Sequence, residues 1–373
     1  MNKKNLGFGW MRLPQLSDNP TDIDFEQVNQ MVDTYLDAGF TYFDTSFVYH
    51  NGTSENAIKK CLVERHPRNQ YILASKLPVF SINTEEEVIN TFQKQLDNCG
   101  VDYFDYFLLH NLNIMHYNTV VKTCHMFEHM KQWKEEGKIK HIAFSFHDSA
   151  DVLDMILTEH PEVEAVQIAL NYLDWESEFI QAKACYEVIR KHNKQVIIME
   201  PIKGGMLATA PKSMQSKIKN EDMPALALRF CGSLDGVLAI LSGMSNLKQV
   251  KENTACMNDF TPLTKQDEDV IQQIIDAYHQ DGPLSDIDFS KYKDIKPNGI
   301  SLSAILECYQ NCMLQPNPGF AAEHNYYSLE KAKHGFTLET PCIPKQNNEL
   351  DNIIQKAEDF LIKSAFASYN QKI

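Results

Sequence analysis

The sequence predicts an α/β protein, a (β/α)8 TIM barrel followed by a C-terminal helical extension, on three observations. Short β-branched and aromatic runs begin near 42, 71, 103, 141, 165, 195 and 237, about 24 to 42 residues apart. A helical pattern fills each gap, which is how parallel βα units read. The runs Tyr103–Leu109, His141–Phe146, Ala165–Leu170, Gln195–Met199 and Val237–Leu241 are apolar at nearly every position, as expected of strands covered on both faces. A short first strand around Leu6–Phe8 brings the count to eight by about residue 243. A doubly wound open sheet would need a glycine-rich turn after its first strand and an acidic residue about 20 residues on. Gly7-Phe-Gly9 is too short a match, so the barrel is preferred, with its active site at the C-terminal strand ends.

Each element has its own local reason. Phe25, Val28, Val32, Tyr35 and Leu36 fall on one helical face, and Gly39 suits the left-handed residue just past that helix. After Ile82, Thr84 and Glu87 stand in capping-box spacing. Val88, Phe92 and Leu96 then form a stripe that stops at Gly100. The strand–helix rhythm ends near Asn253. The tail carries helical patterns at Lys265–His279 and Leu302–Asn311, a polar passage from Asp281 to Gly299, and a last helix from about Asn348 to Phe366. The expected organisation is therefore a barrel over 1–260 and a helical extension, packed on it, over 261–373.

Composition removes several function classes. Thirty-five Lys and Arg against 50 Asp and Glu give a formal charge of −15, the opposite of a nucleic-acid footprint. No apolar run approaches the roughly 18 to 20 residues of a membrane span. Met1 to Gly9 has two lysines but no apolar core behind them, so no secretory signal is expected and the cytoplasm is the default compartment. Nine scattered cysteines, an odd number, read as reduced thiols.

Four polar residues carry the chemistry. Asp44 lies in Tyr42-Phe-Asp-Thr-Ser46 with Tyr49 five residues on, Lys76 closes Tyr71–Lys76, and His110 closes Tyr103–His110. Singly, each has a structural explanation: a tyrosine or histidine in the core, a helix-capping aspartate, a solvated lysine. Jointly they stand at the mouths of three consecutive strands. Reducing a carbonyl places charge on its oxygen, which calls for a positioned proton donor. Tyrosine is a slow donor at its reference pKa near 10. An adjacent ammonium, Lys76, would lower it, Asp44 would keep that lysine charged, and His110 would fix the carbonyl. No metal is required. A metal-dependent barrel hydrolase would need paired ligands at several strand ends, where only His110, His147 and Asp44 are near.

Asp44-Thr-Ser-Phe-Val-Tyr49 with Gly52-Thr-Ser-Glu55, then Ala74-Ser-Lys76, then Leu108-Leu-His110, resembles the aldo-keto reductases, in order from about Leu6 to Asn253. The resemblance implies a (β/α)8 barrel, a nicotinamide cofactor across the strand ends, and Asp44, Tyr49, Lys76 and His110 as a catalytic tetrad with Tyr49 as general acid. It implies NADPH as cofactor, with NADH as the alternative, and a small-molecule carbonyl as substrate. By the same resemblance Ser145 and Gln167 contact the nicotinamide carboxamide and Met199 packs on its ring. Gly204 and Gly205 admit the pyrophosphate, and Ser242, Gly243, Met244, Gln249 and Asn253 hold the adenosine end.

The sequence departs from the family pattern at Phe146, often an asparagine, and at Met199, often an aromatic. Gly243 and Gln249 stand where a lysine and an arginine often meet the 2′-phosphate, with Lys248 and Lys251 as substitutes. The sequences around Leu6–Pro14 and Met199–Gly205 resemble the branch that carries a C-terminal ferredoxin-like segment. Such a segment needs Cys-x₂-Cys-x₂-Cys-x₃-Cys-Pro, whereas this tail has Cys308, Cys312 and Cys342, so no iron-sulfur cluster is expected. A catalytically silent barrel that binds the cofactor as a sensor or partner subunit is the alternative function. Specificity in such barrels is carried by loops, so substrate and oligomeric state have no signature here.

Overall fold

Eight parallel strands close into a barrel in simple order in the computed structural model, which describes residues 6–218, 222–336 and 349–362. They are β1 (Leu6–Gly9), β2 (Tyr42–Asp44), β3 (Ile72–Pro78), β4 (Phe104–Leu112), β5 (Ile139–Phe146), β6 (Ala165–Ala169), β7 (Gln195–Met199) and β8 (Val237–Ser242). This is the (β/α)8 architecture that the strand repeat predicts. Two boundaries move: β3 pairs with β4 two residues beyond Lys76, out to Pro78 opposite His110, and β4 runs on to Leu112 opposite Phe146. Lys76 and His110 therefore lie within their strands. The extension of β4 comes from a register shift between Leu109 and Leu112, which a hydrophobic run cannot reveal.

Alternation explains the filling. Tyr42, Ala74, Tyr106, Leu108, Ala143, Ala165, Ile197, Ala239 and Leu241 form the inner cluster. Gly7 belongs beside it for want of space, since a Cβ there would stand 2.6 Å from Leu241 Cδ2. The other strand face packs on helices. Helix Phe25–Asp37 sends Tyr35 against Phe8, Phe40 and Phe43, and its hydroxyl donates to Leu6 O at 2.6 Å. Phe92 of helix Glu85–Cys99 stacks on Trp133 of helix Met126–Glu135 with ring centroids 3.7 Å apart. Both expected helix ends occur: Gly39 and Gly100 adopt φ of 79° and 68°, and Thr84 with Glu87 forms the reciprocal capping box.

The chain divides into two compact units. The first holds Met1–Asn171, Ala182–Pro201 and Ala227–Pro262, hence all eight strands; the second holds Tyr172–Gln181, Ile202–Leu226 and Leu263–Ile373. Within the second, helices Lys265–Asp281, Leu302–Leu314 and Glu349–Leu361 match the three helical patterns of the tail, and two short helices, Pro318–Glu323 and Tyr327–Lys333, were not readable. Its core gathers Leu302, Ile305, Leu306, Tyr309, Tyr327, Ile354 and Leu361. Cys312 belongs to that apolar core, Cys308 packs against it, and the Cys312 thiol donates to Ala321 O at 3.6 Å. Cys342 and residues 363–366 of the expected last helix lie outside the described residues. Among those residues no helix is long and apolar enough to cross a membrane.

Candidate active site

Asp44, Tyr49, Lys76 and His110 come together at one end of the barrel, because β2, β3 and β4 are adjacent and parallel. Lys76 is fully buried, and its ammonium donates to an Asp44 carboxylate oxygen, to Thr45 O at 2.8 Å and to the Tyr49 hydroxyl at 3.3 Å. The Lys76 nitrogen lies 4.8 Å from the Tyr49 ring centre, and the His110 ring meets Tyr49 edge-on at 5.8 Å. Phenol and imidazole thus flank one spot.

Burial opposes the charge on Lys76, but the Asp44 carboxylate and the Tyr49 hydroxyl outweigh it and raise the lysine's pKa. Tyr49 differs from the sequence expectation. Lys76 does pull its pKa down, yet burial, with Asp44 and Glu200 adding to it, raises the phenol above its ordinary 10. The group therefore rests protonated. His110 is held well below 6.5 by burial and then by the charges of Lys76 and His147, which makes it a neutral imidazole.

This depressed pKa has a consequence for stability. The unfolded chain takes up a proton at His110 near 6.5 and the folded chain does not, so the stabilisation is complete above 6.5 and is lost as pH falls below it. Relative to His110→Asn, the parent is expected to lose roughly 1.4 kcal/mol per pH unit below 6.5, down to the depressed native pKa. Urea unfolding of both proteins across pH 5 to 8 checks it, and a difference independent of pH would refute the neutral assignment.

Two supports were not legible as such. Ser46 Oγ lies 2.9 Å from His110 Nδ1 and fixes the imidazole from behind. Glu55, fully buried, accepts from Ser75 Oγ at 2.7 Å, Gln95 Nε2 at 2.7 Å and Asn98 Nδ2 at 3.1 Å, and Gln95 also donates to Lys76 O at 3.0 Å. That network ties helix Glu85–Cys99 to the strand carrying the lysine. Ser46 and Glu55 both stand in the motifs quoted above, but their partners are 20 to 64 residues away.

The other expected site residues are placed as follows. Ser145 of β5 sits opposite Gln167 of β6 in register, and its Oγ accepts from Asn111 N at 2.8 Å. Gln167 Nε2 reaches Met199 Sδ at 3.5 Å, while Gln167 Oε1 is buried without a hydrogen-bond partner. Ser242 Oγ ends β8 and accepts from Asn253 Nδ2 at 3.0 Å. Met244 is buried, and a Cβ on Gly243 would touch the Arg12 side chain at 3.2 Å. Gln249 is engaged in its own helix cap: its N–H donates to Asn246 Oδ1 at 3.0 Å, and its Oε1 accepts from Ser245 N at 2.7 Å. Gly204 and Gly205 lie in the second unit with φ of 61° and 93°, a backbone that suits glycine.

The residues present fit a nicotinamide dinucleotide on structural grounds. Gln167 Oε1 is an orphaned acceptor beside a serine hydroxyl, the pair a carboxamide needs, and the N-terminus of helix Leu247–Asn258, whose positive dipole end favours phosphate, follows β8 within a few residues.

Residues 5–276 match the model of the Aldo/keto reductase family. The L-galactose dehydrogenase of Arabidopsis thaliana is 23% identical over 246 residues, covering 60% of this chain and 76% of that enzyme. An NADP(+) aldo-keto reductase of Schizosaccharomyces pombe is 28% identical over 221 residues, covering 56% of this chain and 61% of that protein. In structure, the holo form of a Bacillus halodurans aldo-keto reductase aligns with TM-score 0.60 at 22% identity, over 73% of this chain and 92% of that one. A Klebsiella pneumoniae aldo-keto reductase in complex with NADPH aligns with TM-score 0.60 at 18% identity, over 74% and 96%. With nearly three-quarters of its length inside the family model, the chain belongs to the aldo/keto reductase family of oxidoreductases.

Proposed function

We propose that this chain reduces an aldehyde or ketone to the alcohol with NADPH, Tyr49 serving as general acid. The observation that carries the reading is the buried Lys76 ammonium, paired with Asp44, donating to a phenol that meets a neutral imidazole edge-on. When bound, the nicotinamide would supply a hydride to the carbonyl carbon. Ser145 and Gln167 would hold its carboxamide, Met199 its ring, Gly204 and Gly205 its pyrophosphate, and Ser242, Gly243, Met244, Gln249 and Asn253 its adenosine end.

The rest is the work of this chain's side chains. If Ser46 donates to His110 Nδ1, the imidazole proton sits on Nε2 and points to the substrate oxygen, fixing the carbonyl between His110 and Tyr49. Tyr49 gives its proton to that oxygen as charge develops there, and Lys76 stabilises the resulting phenolate. NADPH is preferred to NADH on the cations near the β8 loop: Arg12 beside Gly243, and Lys248, whose ion pair with Glu252 at 3.6 Å is exposed and weak. The Schizosaccharomyces pombe relative named for NADP(+) and the NADPH-bound Klebsiella pneumoniae structure support the same choice.

The test titrates the protein with NADPH and with NADH, then adds a panel of aldehydes, diketones and sugars while following the reduced-nicotinamide absorbance. Carbonyl-dependent loss of absorbance is expected, faster with NADPH. Cofactor binding, seen as quenching of Trp fluorescence, without turnover of any carbonyl would overturn the reading in favour of a silent cofactor-binding barrel.

A further inference from the structure

We infer that Asn111 is a specificity residue that accepts a hydrogen bond from a hydroxyl next to the reacting carbonyl, so that the preferred substrates are 2-hydroxyaldehydes and 2-hydroxyketones. The inference rests on the carbonyl-reductase reading and adds the substrate class to it.

The register of β4 against β5 makes the case. Leu108 pairs with Ala143, both in the inner cluster, so Leu109 and its partner Phe144 face outward. The next pair is Leu112 with Phe146: three steps along β4 match two along β5. One extra residue has been inserted, a β-bulge, and such bulges re-aim side chains beside active sites. Phe144 and Phe146 share a face by alternation, as do their partners Leu109 and Leu112. His110 and Asn111 therefore both stand opposite Ser145, on the inward face. The bulge duplicates an inward position and gives the mouth a second polar side chain directly after the imidazole.

The backbone of Asn111 is suited to hold that pose. Its φ of 65° is left-handed, a conformation that asparagine tolerates better than most residues. Its N–H donates to Ser145 Oγ at 2.8 Å, and its carbonyl accepts from His116 Nδ1 at 2.8 Å. With both backbone groups engaged, the side chain is presented from a fixed base. Yet the residue is only 7% exposed and its Oδ1 is buried with no hydrogen-bond partner. Buried acceptors in native structures have partners, and an exception calls for an explanation.

The missing partner must be a donor. A second carbonyl on the substrate cannot supply one, whereas a hydroxyl on the carbon beside the reacting carbonyl can, one bond away from the group that His110 and Tyr49 fix. The carboxamide N–H of the cofactor is the other donor within this chemistry. Gln167 Oε1, opposite Ser145 and likewise without a partner, is the acceptor for it.

The test compares 2-hydroxypropanal with propanal on the full-length protein with NADPH, in the parent and in Asn111→Gly, which accepts the left-handed backbone and removes the whole side chain. The parent is expected to favour 2-hydroxypropanal by about 10- to 100-fold in kcat/KM. In the variant that advantage disappears, while kcat/KM for propanal and the NADPH Kd stay within about twofold. Absence of a preference in the parent, its survival in the variant, or an equal fall with both substrates would each overturn the inference. So would a selective loss of NADPH affinity, which would assign Asn111 to the carboxamide. If the parent reduces neither aldehyde, the carbonyl-reductase reading fails, and calorimetry on NADP-loaded protein decides Asn111 separately. Tighter binding of 1,2-propanediol than of propan-1-ol, abolished in Asn111→Gly, supports it, and equal binding overturns it. Asn111→Ala, read in the same way, takes the place of the glycine variant should that one melt early.

Discussion

Replacing Tyr49 by phenylalanine is expected to lower kcat for carbonyl reduction by about 10²- to 10⁴-fold, the usual worth of a positioned general acid. The substitution deletes one oxygen. Lys76 keeps Asp44 and Thr45 O as partners, and the edge-on contact with His110 uses only the ring. Cofactor affinity and melting temperature should therefore hardly change, so the loss falls on kcat with KM nearly constant. The pH profile gives an independent sign. Because burial raises the phenol above its ordinary 10, the donor stays protonated through neutral and mildly alkaline pH, and the parent's reduction rate should be flat there. A variant as fast as the parent would remove Tyr49 from the proton-donor role.

The barrel was legible because its evidence is local and repeated. Apolar runs such as Ala165–Leu170 and Gln195–Met199, each followed by a helical pattern, announce two-sided burial wherever they stand, and the strands found there differ by at most one residue. The meeting of Asp44, Tyr49, Lys76 and His110 was legible for a related reason: residues toward the C-terminal ends of adjacent parallel strands must share a mouth, so order along the chain becomes proximity, even though Lys76 and His110 lie inside β3 and β4. What escaped the sequence depends on pairing over distance. The bulge that lengthens β4 is a property of how β4 meets β5, and neither Leu109-His-Asn-Leu112 nor Phe144-Ser-Phe146 contains it alone. The Ser46 contact with His110 and the Glu55–Gln95 network join residues 64 and 40 apart. The direction of the Tyr49 shift was misjudged for another reason. Charge neighbours can be guessed from motifs, but the extent of burial, which here outweighs Lys76, is set by the whole fold.

Lys76→Met should be the most damaging single change in the barrel, because it strands a buried charge. Lys76 is wholly inaccessible and the Asp44 side chain only 3% exposed, and one Asp44 oxygen, Oδ2, has no hydrogen-bond partner even with the lysine present. Removing one member of a buried pair costs about 3 to 5 kcal/mol, much of it the penalty of the abandoned partner. Adding Asp44→Asn removes that charge, so the double variant should be more stable than Lys76→Met alone, and urea unfolding of the four proteins of the cycle measures the coupling. Activity should not follow stability back. Without the ammonium nothing stabilises the phenolate that Tyr49 becomes after donating, and both variants should reduce carbonyls at least about 10²-fold more slowly than the parent. A Lys76→Met protein within about 1 kcal/mol of the parent would show that the pair does little for the fold. Recovery of stability without recovery of rate would show the opposite division of labour: a pair whose desolvation cost the barrel bears because the chemistry at Tyr49 requires a buried cation.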